Sequence, residues 1–566
     1  MNPLDYVVLF ATMLGIAAYG LWRTRGQRGL SGYLKGSGQT GWVTIGLSVM
    51  ATQASAITFI SVPGQGYQDG LGFVQNYFAM PLALIIIAAI FLPMYRRLNV
   101  YTAYEFLGQR FDAKTRLLGA GLFLLQRGLG AGITIYAPAI VLSTVFGWPL
   151  GLTIVLSGLL VILYTVIGGN EAVSVTQKYQ IMVIFLGMGI ALAVLLKRMP
   201  VGLGDALAVA GAFHKLKAVD YSPDLHRRYT VWSGLFGGLC LMLSYFGTDQ
   251  SQVQRYISGS SLRESRLGLM FNALCKIPMQ FLILMLGVFM FVFYQFERPP
   301  VFFNQSSWNA AASRNSEKFH SIEQRYAAAC QKTEEATLFW LVSRDAGGEA
   351  EAKPRAEALA AHEQTEAIRT EARDAVHAAD LHAQTNDGDY VFITFILAQL
   401  PHGVIGLLVA AFFAAALSSK AAELSALGST TTVDIYAHLV RRDAGDAHYV
   451  KASRCFTAMW GFVALAFALF AHLAENLIQA VNIIGSVFYG VVLGLFLVAF
   501  FVKWVRGTAV FWGAVLAQAL VFWMYFSLKS TPHEISYLWY NLIGCAACLL
   551  FSVLLQAADS GKKAVA

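Results

Sequence analysis

Apolar stretches of about twenty residues recur along the whole chain, separated by short polar segments. Read in that pattern, helices fall near 4–23, 41–63, 76–96, 116–145, 148–168, 178–197, 230–250, 268–296, 390–419, 452–473, 477–503, 507–528 and 536–556. A helix of that length spans the roughly 30 Å hydrocarbon core of a bilayer and pairs all its backbone polar groups internally. The pattern predicts an all-α polytopic membrane protein with about thirteen transmembrane helices.

Three spans break their own apolar rule. The stretch 411–436 holds Ser418, Ser419, Lys420, Glu423 and Ser425 after an apolar first half. Polarity at membrane depth is costly and marks a pathway or a binding site. At 100° per residue, Ala415, Ser418 and Ser419 share a face, whose hydroxyls and any loosened carbonyl offer oxygen ligands to a hard cation. Hydroxyls in membrane helices also bond back to their own backbone, which is the competing reading. Lys420 projects about 140° away from Ala415, with Glu423 three residues on as a partner. The second span carries Thr52, Gln53, Ser55 and Thr58 before Pro63-Gly64, and the seventh runs through four glycines into a polar Tyr245–Gln250 stretch. Two interrupted spans, five helices apart, point to an inverted-repeat transporter with its site where the broken helices meet. The first repeat then covers 41–199 and the second 200–503. An extra helix and basic loop precede them (1–40), and further helices follow (504–566).

Composition sharpens the picture. Charged residues make up 13% of the 566, and mean hydropathy is +0.56. The net charge of +8 concentrates in alternate loops, which reads as cytoplasmic Lys/Arg rather than nucleic-acid binding. That alternation places the N-terminus outside and the C-terminus in the cytoplasm. It also exports 297–389, which has 16 Asp/Glu against 10 Lys/Arg and reads as a solvated helical insertion. Asn304-Gln305-Ser306 within it is a glycosylation sequon. Cys545-Ala-Ala-Cys548 has redox spacing but lies in an apolar span, and the histidines form no ligand spacing, so neither redox nor metal chemistry is expected. Lys276, in the eighth span, and Arg127, in the fourth, are charges at membrane depth and functional candidates for that reason. Few acidic residues lie near the spans, and none is an evident partner for Arg127, whose planar fork suits a carboxylate.

Together, Tyr-Thr-Val-Ile-Gly-Gly-Asn-Glu-Ala-Val (164–173), Gly-Thr-Asp-Gln-Ser-Gln-Val-Gln-Arg (247–255) and Leu-Ser-Ser through Asp-Ile-Tyr (417–436) resemble the sodium/solute symporter family. Ala-Tyr-Glu-Phe-Leu-Gly-Gln-Arg-Phe (103–111) is most similar to its branch carrying monocarboxylates, multivitamins and iodide. The resemblance implies a LeuT-type fold of five-helix inverted repeats and sodium-coupled symport of a small solute through the cell membrane. It implies sodium ligands at the carbonyls of Ala51, Ala54 and Ala415 and the hydroxyls of Ser418 and Ser419. Members with a second sodium site use an aspartate and two hydroxyls where this chain has Gln177, Ala421 and Ala422, so one sodium per solute is expected. Sugar carriers use a glutamine and a glutamate where this chain has Thr58 and Tyr77, which weakens a sugar substrate. Tyr245 matches a gating tyrosine, and Gln53, Thr58, Gln75, Asn76 and Lys276 are further pocket candidates. The fourth helix lines the cavity in the family, which makes Arg127 a carboxylate ligand and an organic anion the favoured solute. A sugar symporter, a proton-coupled carrier and a transport-inactive sensor are the alternatives.

Overall fold

The computed structural model describes residues 1–23, 41–98, 100–344, 348–380, 384–470, 476–529 and 531–565. The basic loop 24–40 and Glu475 lie outside them, and so do the side chains of Glu171, Ser418, Lys562 and Lys563. Among the described residues nine helices of at least 18 residues are apolar enough to cross a membrane; five shorter apolar helices accompany them. The protein is a multi-pass membrane protein with no strand among those residues.

The elements used below are α1 (Pro3–Arg23), α2 (Trp42–Gln53), α3 (Ala56–Asp69), α4 (Ala113–Phe146), α5 (Leu150–Arg198), α6 (Gly238–Gly247), α7 (Gln250–Ile257), α8 (Leu262–Phe293), α9 (Ser316–Ser343), α10 (Gly348–Ala379), α11 (Gly388–Gln399), α12 (Val404–Thr430), α13 (Asp446–Phe470) and α14 (Leu477–Phe501). The second span is two helices, α2 and α3, parted at Ala54-Ser55. The seventh is divided between α6 and α7, where the Asp249 carboxylate caps α7 by accepting from the Ser251 N–H at 2.9 Å. Both predicted breaks are therefore present.

One element differs from the pattern. Two spans were expected over 148–168 and 178–197, yet α5 carries helical hydrogen bonding across all 49 residues. A straight helix of that length would part its ends by roughly 74 Å. Here Leu150 and Ile154 share a cavity wall with Leu397 and Ala398, while Arg198 at the far end donates to Gln399 Oε1 at 2.6 Å. The chain therefore doubles back inside α5, which holds one candidate span, Gln180–Arg198, and one shorter apolar stretch, Leu150–Val166.

Helices close in where side chains vanish. A Cβ on Gly64 would collide with the Gly388 carbonyl, and one on Gly287 with the Pro63 carbonyl, so α3 lies backbone to backbone against both α11 and α8. On the side bearing the basic loops, Asp434 accepts from Thr102 Oγ1 (3.0 Å) and Arg116 Nε (2.7 Å), tying the loop before α4 to the end of α12.

The insertion is an antiparallel hairpin of α9 and α10 with its own core, including Trp308, Phe319, Ile322, Tyr326 and Val376. It is less solvated than its charge implies. Arg344 pairs with Asp205 at 2.7 Å, and the buried Arg369 donates to Tyr67 Oη at 3.3 Å and Asp387 Oδ2 at 3.1 Å, so the hairpin docks back on the transmembrane bundle. The sequon asparagine, Asn304, is buried and caps the next helix through the Ser307 N–H at 3.2 Å, which makes it a cap.

Candidate functional site

The break in the second span sets up the site. The Ala54 N–H closes α2 on the Met50 carbonyl at 2.6 Å, and Ser55 is extended, with φ −70° and ψ 177°. The last carbonyls of a helix find no partner within it, and here the Gln53 carbonyl accepts from Thr58 Oγ1 at 3.4 Å. Ala51 and Ala54 belong to that end and are buried. Ala415 and Ser419 are buried on α12, which packs along α2 and α3. The Ser419 hydroxyl donates back to the Ala416 carbonyl at 3.2 Å, as the competing reading expects, and keeps its lone pairs as acceptors.

Beside this break lies a cavity of about 80 Å³, the room of a few waters. Gln53, Thr58, Asn76, Arg127 and Tyr245 line it. Four polar atoms on residues that line it are buried without a hydrogen-bond partner: Gln53 Oε1, Asn76 Oδ1, Arg127 Nε and Asn482 Nδ2. Two are acceptors and two are donors.

Arg127 is not unpaired, contrary to expectation. Its NH2 group donates to Asp249 Oδ2 and, at 2.9 Å, to the Tyr489 hydroxyl, and NH1 reaches Glu423 Oε1 at 3.4 Å. Glu423 also accepts from Thr134 Oγ1 (3.2 Å) and, as its spacing predicts, from Lys420 Nζ (2.7 Å). The partners lie 122 and 296 residues from Arg127, so no local pattern announces them. All four charges are buried, two of each sign. The cluster links α4, the break before α7, α12 and, through Tyr489, α14.

Two candidates fall elsewhere. Gln75 is a scaffold residue: its Nε2 donates to the carbonyls of Gly72 (3.2 Å) and Tyr229 (3.0 Å), and its Oε1 accepts from the Asp220 N–H at 3.0 Å. Lys276 does not line the cavity. Its Nζ lies 5.7 Å from the Tyr77 ring centroid, behind that ring, with no hydrogen-bond partner, and Asn272 and Gln280 one turn to either side are equally unpaired. Tyr245 stays in the wall, its ring 5.4 Å from the Arg127 guanidinium and its hydroxyl accepting from Gln252 Nε2 at 2.7 Å. Thr52, Ser55, Glu423, Asn482 and Tyr489 also line the cavity. Gln177 accepts from Ser48 Oγ at 2.9 Å, and Ala421 and Ala422 are buried against Tyr164.

Toward the insertion, polar contacts beyond the cavity form a roof over it. Asn476 Nδ2 donates to Gln65 Oε1 at 2.6 Å, and the Leu477 N–H donates to Asp389 Oδ2 at 3.0 Å.

The profile of the Sodium:solute symporter family matches residues 33–315 and 370–517. The human sodium/iodide cotransporter is 32% identical over 295 residues, which cover 51% of this chain and 45% of that protein. The rabbit (Oryctolagus cuniculus) sodium-dependent multivitamin transporter is 32% identical over 294 residues, 51% and 46% of the two chains. Human sodium-coupled monocarboxylate transporter 1 is 34% identical over 274 residues, 47% and 44% of the two. The chain thus spans under half the length of these relatives. A Na+-coupled sialic acid symporter, solved in a substrate-bound outward-open state, superposes over 98% of both chains with a TM-score of 0.73 at 21% identity. That likeness shows the LeuT-type fold.

Proposed function

The chain belongs to the sodium:solute symporter family, and from that premise we propose that it is a sodium-coupled symporter of a small organic anion, working by alternating access. The observation that carries the reading is the set of four orphaned polar atoms on residues that line the central cavity. A buried polar atom without a partner costs about 1–3 kcal/mol, which a ligand bridging the set would recover. In this reading sodium takes the carbonyls of Ala51, Ala54 and Ala415 and the hydroxyls of Ser418 and Ser419. The ion then braces α12 against the break of α2 and α3. The solute's carboxylate takes Arg127 Nε, and its polar groups take Gln53, Asn76 and Asn482, with Thr58 and Tyr245 shaping the wall.

Iodide and monocarboxylates, named for two of the relatives, are anions. An even count of charges around Arg127 favours a second reading, a neutral solute such as a sugar. The positive-inside rule puts the N-terminus and the insertion outside and the C-terminus in the cytoplasm. Uptake of radiolabelled acetate, benzoate and glucose by Asn76→Ala and Asn482→Ala proteoliposomes tests the pocket. Both variants raise the half-saturation concentration for the transported solute about tenfold, the value of one polar contact. Unchanged values in both would remove the cavity from the account.

A further inference from the structure

A second cavity, of about 520 Å³, opens between the insertion and the transmembrane bundle, beyond the polar roof. Its walls carry Lys215, Arg228, Arg369 and Arg373 against Asp69 and Glu366. Counting Asp387, which pairs with Arg369 and Arg373 at 3.1 and 3.5 Å, the cations still outnumber the carboxylates. His362, also on the wall, adds no charge, because burial pushes its imidazole down to about 4. The wall is also aromatic: Phe291 stands edge-on to His362 at 5.3 Å, Lys215 Nζ sits 4.3 Å above the Phe291 ring, and Tyr67 packs beside Arg369. The volume lies within the range of small-molecule pockets, and a positive rim on an apolar body is the complement of an organic acid.

The cavity is a joint product of two parts of the chain. Tyr67 and Asp69 come from the last turn of α3, whose first turn lines the central cavity, and Gln479 from the first turn of α14, whereas His362, Glu366 and Arg369 come from α10. The family profile leaves 316–369 unmatched, so most of the hairpin that closes this cavity is outside the family's shared frame.

We propose that the insertion builds a second, sodium-independent binding site for a small aromatic or aliphatic carboxylate at the mouth of the carrier. The cations meet its head, and the Phe291 and Tyr67 rings meet its body. The site stands whether or not the central cavity carries an anion. A carboxylate held there would lie over the roof formed by Gln65 and Asn476, about three helical turns along α3 from Thr58.

The test is equilibrium binding of radiolabelled benzoate to the full chain in nanodiscs, in sodium and in choline. Saturable binding in choline is expected. Lys215→Met/Arg373→Met weakens it at least about tenfold, as the loss of charge-assisted contacts requires. Glu366→Gln tightens it several-fold by removing a competing carboxylate, and decides the matter if the double variant does not fold. No saturable binding in choline, unchanged affinity in the double variant, or affinity in Glu366→Gln no better than wild type would each overturn the site. Sodium-driven uptake is a separate readout, so failure of the carrier reading is told apart from failure of this one.

Discussion

At the scale of single residues, Arg127 meets Asp249, Glu423 and Tyr489 at once, so removing one carboxylate leaves a buried charge short of its counter-charge. Breaking a buried pair from one side costs about 3–5 kcal/mol. Asp249→Asn is therefore expected to lower the thermal unfolding midpoint measurably as well as uptake, because it also weakens the cap of α7. Arg127→Lys keeps the charge but loses the fork, raising the half-saturation concentration about tenfold, and Arg127→Ala nearly abolishes uptake. If Arg127→Ala folds and transports with wild-type affinity, Arg127 belongs to the scaffold. Lys215 carries a pH prediction. Burial pushes its ammonium down to about 8, Asp69 and Glu366 oppose that shift, and Arg369 adds to it. The cation is present below that value and lost above it, so benzoate binding in choline weakens between pH 7 and 9. Lys215→Arg removes that decline, since a guanidinium stays charged. A decline that persists in Lys215→Arg would assign it to another group.

At the scale of elements, the two broken helices were legible from sequence because interruption of an apolar run is a local signal. The polar run Thr52, Gln53, Ser55 and the Tyr245–Gln250 polarity each announced a break that the structure contains, whereas Pro63 lies inside α3. What was not legible was pairing over long separations. Arg127 looked unpaired because its partners sit on other helices, and Gln75 looked available because the loop whose Asp220 N–H it binds lies 145 residues away. Fold-back inside α5 was legible as two spans even though hydrogen bonding runs through it. For the ion, Ser418→Ala and Ser419→Ala are each expected to raise the sodium concentration for half-maximal uptake, by about tenfold for a lost ligand. Unchanged sodium dependence in both would remove α12 from ion binding. For packing, Gly64→Val forces α3 off α11 and is expected to destabilise by about 1–3 kcal/mol, read as a lower unfolding midpoint.

For the molecule as a whole, loop charge gave a topology, whereas the docking of the hairpin could not be read from its composition. Its acidic surplus spoke for solvation, but the buried Arg369 reaches Tyr67 on α3 and Arg344 pairs with Asp205, which ties the hairpin to the bundle. A tag inserted after Ala350 is expected to be reachable from outside intact cells, and a reporter at Ala566 to read cytoplasmic; protection of the tag would reverse the orientation. The central claim, sodium-coupled carriage of a small organic anion, is tested most directly in proteoliposomes holding the purified chain. Uptake of radiolabelled monocarboxylates and glucose is followed under an imposed inward sodium gradient and under choline. The account predicts concentrative uptake of a carboxylate with sodium alone, one sodium per solute in flux ratios, and none of glucose. Carboxylate uptake that is equal in choline, or sodium-driven uptake of glucose without any carboxylate, would contradict it.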